Sequence, residues 1–199
     1  HQLYLSSPEQ EFIGEYRLPL ESPLRDRYEL LYGLKNLDNQ DTRSFEATTE
    51  LARRWEFEND WIQRLYLRTT YEDYRQADQE DQGSLLYPGA SWTRTRTRQP
   101  SFPVWGDYQR LALEVSDESW GSDANFFRST LDSRWIRMLG DGTRAIARTG
   151  IGVMSTDDFE TIPPSLRFFA GGDRSVRGYS YESLAPENES GELLGGQHL

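Results

Sequence analysis

The chain has 199 residues, a mass of 23.2 kDa, a formal net charge of −11 and a sequence pI of about 4.7. That length fits one domain or two small ones, and the charge argues against a general nucleic-acid binder, which needs a basic face to replace counterions. There is no cysteine, and the only histidines are His1 and His198, so disulfides, thiolate metal sites and a cysteine nucleophile are excluded, and a Ser-His triad or histidine metal site has little to draw on. Lys35 is the single lysine; every other basic residue is arginine, which suits fixed bidentate ion pairs and points to an interlaced charged interior or a highly charged surface. The opening, with neither methionine nor signal peptide, reads as a mature protein or an excised piece. Mean hydropathy of −0.80 and the lack of any apolar stretch near 18 residues exclude a helical membrane span. An aromatic fraction of 13% argues against disorder. A polar chain rich in arginine and aromatics fits an all-β, antiparallel transmembrane β-barrel, where only alternate residues need be apolar.

The dominant period is two. Over residues 9–19, Phe12, Gly14, Tyr16 and Leu18 share one face and Ile13, Glu15 and Arg17 the other. A second run sets Tyr28, Leu30, Tyr32 and Leu34 against Glu29, Leu31, Gly33 and Lys35. The third starts near Arg43, with Phe45, Ala47, Thr49 and Leu51 opposing Glu46, Thr48, Glu50 and Ala52. The fourth begins at Trp61 and sets Leu65 and Leu67 against Arg64, Tyr66, Arg68 and Glu72. The fifth, near 84–97, puts Arg94, Arg96 and Arg98 on one face and Thr93, Thr95 and Thr97 on the other. The sixth opposes Leu111, Leu113 and Val115 to Arg110, Ala112 and Glu114. The seventh covers about 125–137, and the eighth, about 143–154, opposes Ala145, Ala147, Thr149, Ile151 and Val153 to Arg144, Ile146, Arg148, Gly150 and Gly152. A last short strand is expected over 191–199. Polar stretches near 35–43, 73–84, 116–124 and 155–190 read as long outer loops, and SPLRD, FEND, QPSFPVWG and GDG as inner turns. Trp55, Trp61, Trp92, Trp105, Trp120 and Trp135 lie near strand ends, as interfacial girdles require. Lipid should meet Phe12, Tyr16, Leu30, Leu65, Leu67, Leu111, Leu113, Ala147 and Ile151. The lumen should hold Glu46, Glu50, Arg68, Arg110, Arg144 and Arg148.

Residues 162–181, IPPSLRFFAGGDRSVRGYSY, carry the specific signal. The block Arg167, Phe168, Phe169, Ala170, Gly171, Gly172, Asp173 and the tetrapeptide Val176, Arg177, Gly178, Tyr179 resemble the sixth extracellular loop of the BamA/TamA outer-membrane barrel-assembly superfamily (the bacterial surface antigen family). The upstream part is more similar to the TamA branch than to the BamA branch, and GELLGGQHL is similar to the strand after that loop. The resemblance implies a sixteen-stranded barrel whose loop joins strands eleven and twelve. Eight strands precede the loop here, so the chain should run from about strand four to strand twelve as part of one barrel domain, with signature loop 155–190 and no POTRA domain. It also implies folding and insertion of client proteins such as autotransporters by strand augmentation at a lateral seam, with no cofactor. The implied partners are outer-membrane lipid and lipopolysaccharide, unfolded outer-membrane clients and a TamB-like inner-membrane protein, and no nucleic acid. Within the loop, Arg177 is the implied lumenal anchor, with Glu46, Glu50, Glu72 and Glu114 as candidate acidic partners, Gly178 giving close backbone approach and Tyr179 an aromatic contact.

Other chemistry is weaker. An outer-membrane hydrolase lacks a nucleophile with a base, and Glu46 with Glu50 read as lumen charges before glycosidase acids. A two-partner-secretion-type transporter is the alternative within the family. A passive porin is the alternative outside it, with Arg94, Arg96 and Arg98 lining the pore. The acidic run Asp78, Glu80, Asp81 reads as a solvated loop before a calcium site.

Overall fold

A computed structural model describes residues 1–199 apart from 8, 40–41, 77–78, 99–102, 141, 173–174, 177, 181–182 and 190, together with the side chains of 39, 42, 76 and 79. Nine strands form one sheet in sequence order: β1 (Gln2–Leu5), β2 (Glu9–Pro19), β3 (Asp26–Asn39), β4 (Thr42–Glu56), β5 (Trp61–Gln76), β6 (Gln79–Arg98), β7 (Trp105–Ser116), β8 (Phe126–Leu139) and β9 (Thr143–Thr156). All neighbours are antiparallel. The described residues contain two short 3-10 turns, Glu118–Trp120 and Pro164–Leu166, and no α-helix. This is a nine-stranded run of an up-and-down β-barrel wall.

Each ladder keeps one register along its length, so strand parity fixes the face of every side chain. The outer face presents Phe12, Tyr16, Leu30, Leu65, Leu67, Leu111, Leu113, Ala147 and Ile151. The inner face presents Glu46, Glu50, Arg68, Arg110, Arg144 and Arg148. Exposure follows: Leu51 is 57% exposed, and its neighbour Glu50 only 2%. The apolar core lies between the inner face and residues 157–199. Leu85 and Tyr87 of β6, Phe126 of β8 and Met154 of β9 meet Ile162, Leu166 and Phe168 there.

The structure departs from the sequence reading in three places. Residues 2–5 pair with 10–13 as β1, so nine strands precede the loop and not eight; a four-residue segment is too short for its alternation to register. The polar stretches 35–43 and 73–84 belong mostly to strands, because their side chains bond across the ladders. Arg43 reaches Asp38 at 3.3 Å, and Tyr71 donates to Gln82 at 3.0 Å. Residues 191–199 form no continuous strand. Only the last few pair with the free edge of β9, through the Val153–His198 bridge and the reciprocal Gly152–Leu199 hydrogen bonds of 3.2 and 2.9 Å.

β6 overhangs its partner: its pairing with β7 stops at Gly89. The 117–125 segment covers the exposed backbone edge beyond it. Asp123 accepts from the Ser84 amide at 2.6 Å, Ser122 Oγ from the Leu86 amide at 3.2 Å, and Trp120 Nε1 donates to the Leu86 carbonyl at 2.8 Å. Leu113→Arg places a charge on the outer face. It should destabilise the barrel by about 2–4 kcal/mol in a bilayer, read as a lowered gel-shift melting temperature, whereas Arg148→Leu on the inner face should cost much less.

Candidate functional site

The inner wall carries a continuous network of charges. Glu29 accepts from Arg27 at 2.8 Å and from Arg64 at 3.0 Å. Arg64 also pairs with Glu50, and Arg68 Nε donates to the same carboxylate at 2.7 Å. Arg68 further reaches the Tyr87 hydroxyl at 3.4 Å and Glu114 at 3.8 Å. Glu114 accepts from the Tyr66 hydroxyl and from Arg128, both at 2.7 Å. Glu29, Glu50 and Glu114 are each 5% exposed or less, so every carboxylate has traded water for guanidinium. The chain of contacts crosses every strand from β3 to β8, with Tyr87 on β6, and it ends at the loop, where Arg128 lies 4.9 Å from the Phe168 ring centroid. Arg27, Arg64 and Arg128 were not singled out from sequence; Arg64 shares strand parity with Arg68, and that spacing was the available signal.

The loop enters the lumen through its upstream part. Pro163 and Pro164 are buried, and Phe168 exchanges backbone hydrogen bonds with Gly196 at 2.9 and 2.8 Å. The Phe168 ring lies where a Cβ on Gly152 would stand, so that inward-facing glycine gives the ring its seat. Arg167 is 4% exposed. Its Nε donates to the Ile162 carbonyl at 2.7 Å, and its terminal nitrogens to the Leu194 and Glu160 carbonyls at 2.9 and 3.2 Å. Its guanidinium stacks 4.8 Å from Phe159 and 5.9 Å from Tyr74. Burial pulls this guanidinium below its ordinary pKa. One side chain thus ties both limbs of the loop together and to β5. Tyr74 adds a hydroxyl bond to the Glu160 carbonyl at 3.1 Å.

The four candidate acids divide by role. Glu50 and Glu114 are engaged by wall arginines. Glu72 is 1% exposed and accepts from Ser165 Oγ at 2.5 Å, so it meets the loop through a hydroxyl. Glu46 accepts from Thr48 at 2.6 Å and borders a cavity of about 380 Å³ between the wall and Pro164–Phe169. Arg177 and Asp173 lie outside the described residues. Around them, Val176 and Tyr179 are 42% and 54% exposed. Gly178 takes a positive φ of 93°, a conformation that favours glycine. Gly171 answers to close approach instead, since a Cβ there would strike the Ser180 carbonyl. Gly172 donates to the Tyr179 carbonyl at 3.1 Å, and Phe169 is half-buried beside Gly195.

The pore reading loses its residues. Arg94, Arg96 and Arg98 share the parity of Ala90 and Trp92 and lie on the outer face; alternating Thr and Arg left the sequence with no apolar cue to sidedness. No group of three or more potential metal ligands gathers among the described residues.

With this geometry in place, residues 16–199 match the Omp85 superfamily domain. The chain belongs to the Omp85 superfamily. Its fold is similar to a crystal structure of BamA from Haemophilus ducreyi lacking POTRA domains 1–3, with a TM-score of 0.81 and 12% identity, over 96% of this chain and 43% of that one. In sequence it is 26% identical over 109 residues to the outer membrane protein assembly factor BamA of Nitratidesulfovibrio vulgaris, covering 54% of this chain and 14% of the relative. The chain therefore spans less than half of either relative. Omp85 membership and the barrel wall place it in the bacterial outer membrane.

Arg167→Ala should strip three carbonyls of their charged donor and loosen the loop by about 3 kcal/mol or more, seen as faster protease cleavage within 157–199. Arg167→Lys should recover only part, since an ammonium cannot form the planar fork. Glu50→Gln leaves Arg64 and Arg68 facing each other; the stability loss should fall at the low end of about 3–5 kcal/mol because both arginines keep some solvent. Neutralising the exposed Glu80 and Asp81 should change gel-shift melting by an amount within error.

Proposed function

We propose that this Omp85 chain is part of an outer-membrane assembly factor that folds and inserts client β-barrel proteins. The observation that carries the reading is the joint presence of the Omp85 match over residues 16–199 and a loop locked onto the inner wall through Arg167 and Phe168. A loop fixed inside a barrel serves a wall that must hold its shape while backbone edges elsewhere are offered to incoming strands. Such strand augmentation needs no nucleophile, metal or nucleotide, and the activity is non-enzymatic.

The finer assignment is to the TamA branch. Its support is the sequence Arg167–Phe168–Phe169–Ala170–Gly171–Gly172–Asp173, followed by Val176–Arg177–Gly178–Tyr179. On that reading the clients include autotransporters, the client strands add at a lateral seam, and a TamB-like inner-membrane protein is the partner. On the same reading, Arg177 is the residue of the tetrapeptide that engages an acidic partner.

The test is reconstitution of the full-length protein in outer-membrane-lipid vesicles with an unfolded autotransporter barrel as client. Wild type should accelerate acquisition of the client's heat-modifiable form. Arg177→Ala should slow it several-fold while leaving the catalyst's own melting within about 1 kcal/mol of wild type. Equal acceleration by both proteins would end the role of Arg177. Absence of acceleration by wild type, combined with passage of an unfolded secreted polypeptide, would move the chain to the secretion-transporter branch.

A further inference from the structure

The outer face carries a charged belt towards one end of the barrel wall. Towards the short-turn end, three consecutive cross-strand rows run over β5–β8. The first reads Trp61, Arg94, Gln109, Ser133; the second Arg96, Asp107, Trp135; the third Arg98, Trp105, Arg137. The rows just above are mostly apolar, with Trp92, Leu111 and Leu131 beside Gln63, then Leu65, Ala90 and Leu113 beside Ser129. Successive rows stand about 7 Å apart along the strand. Four guanidinium groups therefore cross the border where the apolar band ends, against one carboxylate among the described residues of these rows.

That carboxylate is committed. Arg96 grips Asp107 with two hydrogen bonds of 3.0 and 2.9 Å, and Arg137 approaches it at 3.9 Å. Arg137 is further held by the Gly106 and Ile136 carbonyls, both at 2.7 Å. Arg94 and Arg98 have no acidic partner among the described residues. Arg94 lies 5.7 Å from the Trp61 ring and Arg98 5.4 Å from the Trp105 ring, and Arg94 Nε is buried without a hydrogen-bond partner. Tryptophan marks the headgroup level of a bilayer. A guanidinium held there by an aromatic face, its donors unspent, matches a phosphate ester in geometry and charge.

We infer that Arg94 and Arg98, framed by Trp61 and Trp105, bind the phosphate of an anionic glycerophospholipid at the turn-end border of the barrel. The Arg96–Asp107–Arg137 cluster between them is the rigid frame of that site. The site depends on the chain's place in the outer membrane and not on its assembly activity, so either can fail alone.

The full-length protein in nanodiscs of mixed phosphatidylglycerol and phosphatidylethanolamine is released into native mass spectrometry, and the lipids it retains are counted. Wild type should retain phosphatidylglycerol over phosphatidylethanolamine by about fivefold, as one well-placed arginine near an anionic surface provides. The double variant R94Q/R98Q should lose that preference while keeping its heat-modifiable form, because neither side chain makes an ion pair within the wall. R94K/R98K should keep part of it. Equal retention of the two lipids by wild type, or an unchanged preference in R94Q/R98Q, overturns the inference. So does preferential retention of lipopolysaccharide over phosphatidylglycerol in a second disc that contains lipopolysaccharide and phosphatidylglycerol. If the double variant loses its heat-modifiable form, R98Q alone carries the comparison, since Arg98 is exposed. Loss of client assembly with lipid preference intact would instead count against the proposed function.

Discussion

Because every ladder from β1 to β9 keeps one register along its length, the parity of a residue within its strand decides whether it meets lipid or lumen. A slip of one position would turn Glu50, Arg68 and Glu114 outward and bring Leu51, Leu67 and Leu113 into the lumen. The ladder hydrogen bonds would survive such a slip; the side-chain network would not. The paired arginines and carboxylates of the inner face therefore fix register more than they add stability, consistent with how little net energy buried ion pairs return once desolvation is counted.

The inner network and the loop are one construction. Arg128 binds Glu114 on one side and covers Phe168 on the other, so the wall's charge chain continues into the loop's aromatic anchor. Arg167 then closes the loop upon itself with three carbonyl bonds that span Glu160 to Leu194. All three of those acceptors are backbone carbonyls, so these bonds follow the loop's path, and the stack on Phe159 adds a single loop side chain.

The alternation of β2 to β9 was legible because the outer face needs apolar residues at every second position, and Leu65 and Leu67, or Leu111 and Leu113, supply them. Legibility failed where that requirement lapses. Beyond the bilayer both faces meet water, so Asp38, Gln82 and their neighbours looked like loop while continuing as strand. At the opposite border both faces are polar again, and Arg94–Arg98 gave no indication of side. The loop's signature was recognised as a block, but its buried centre is Arg167–Phe168, upstream of the tetrapeptide. Sequence pattern cannot show which of several arginines finds carbonyls, since those acceptors are present at every residue.

The loop touches β5 through Glu72 and Tyr74, β8 through Arg128 and β9 through Gly152 and Met154. β5 is separated from the neighbouring pair β8 and β9 by β6 and β7, so the segment acts as a chord drawn across an arc. The length of a chord sets the curvature of the arc it subtends. Curvature in this stretch of wall is then held from within, and does not depend on the ring being closed elsewhere. On the proposed reading, it is this bracing that lets another seam part while these strands keep their radius.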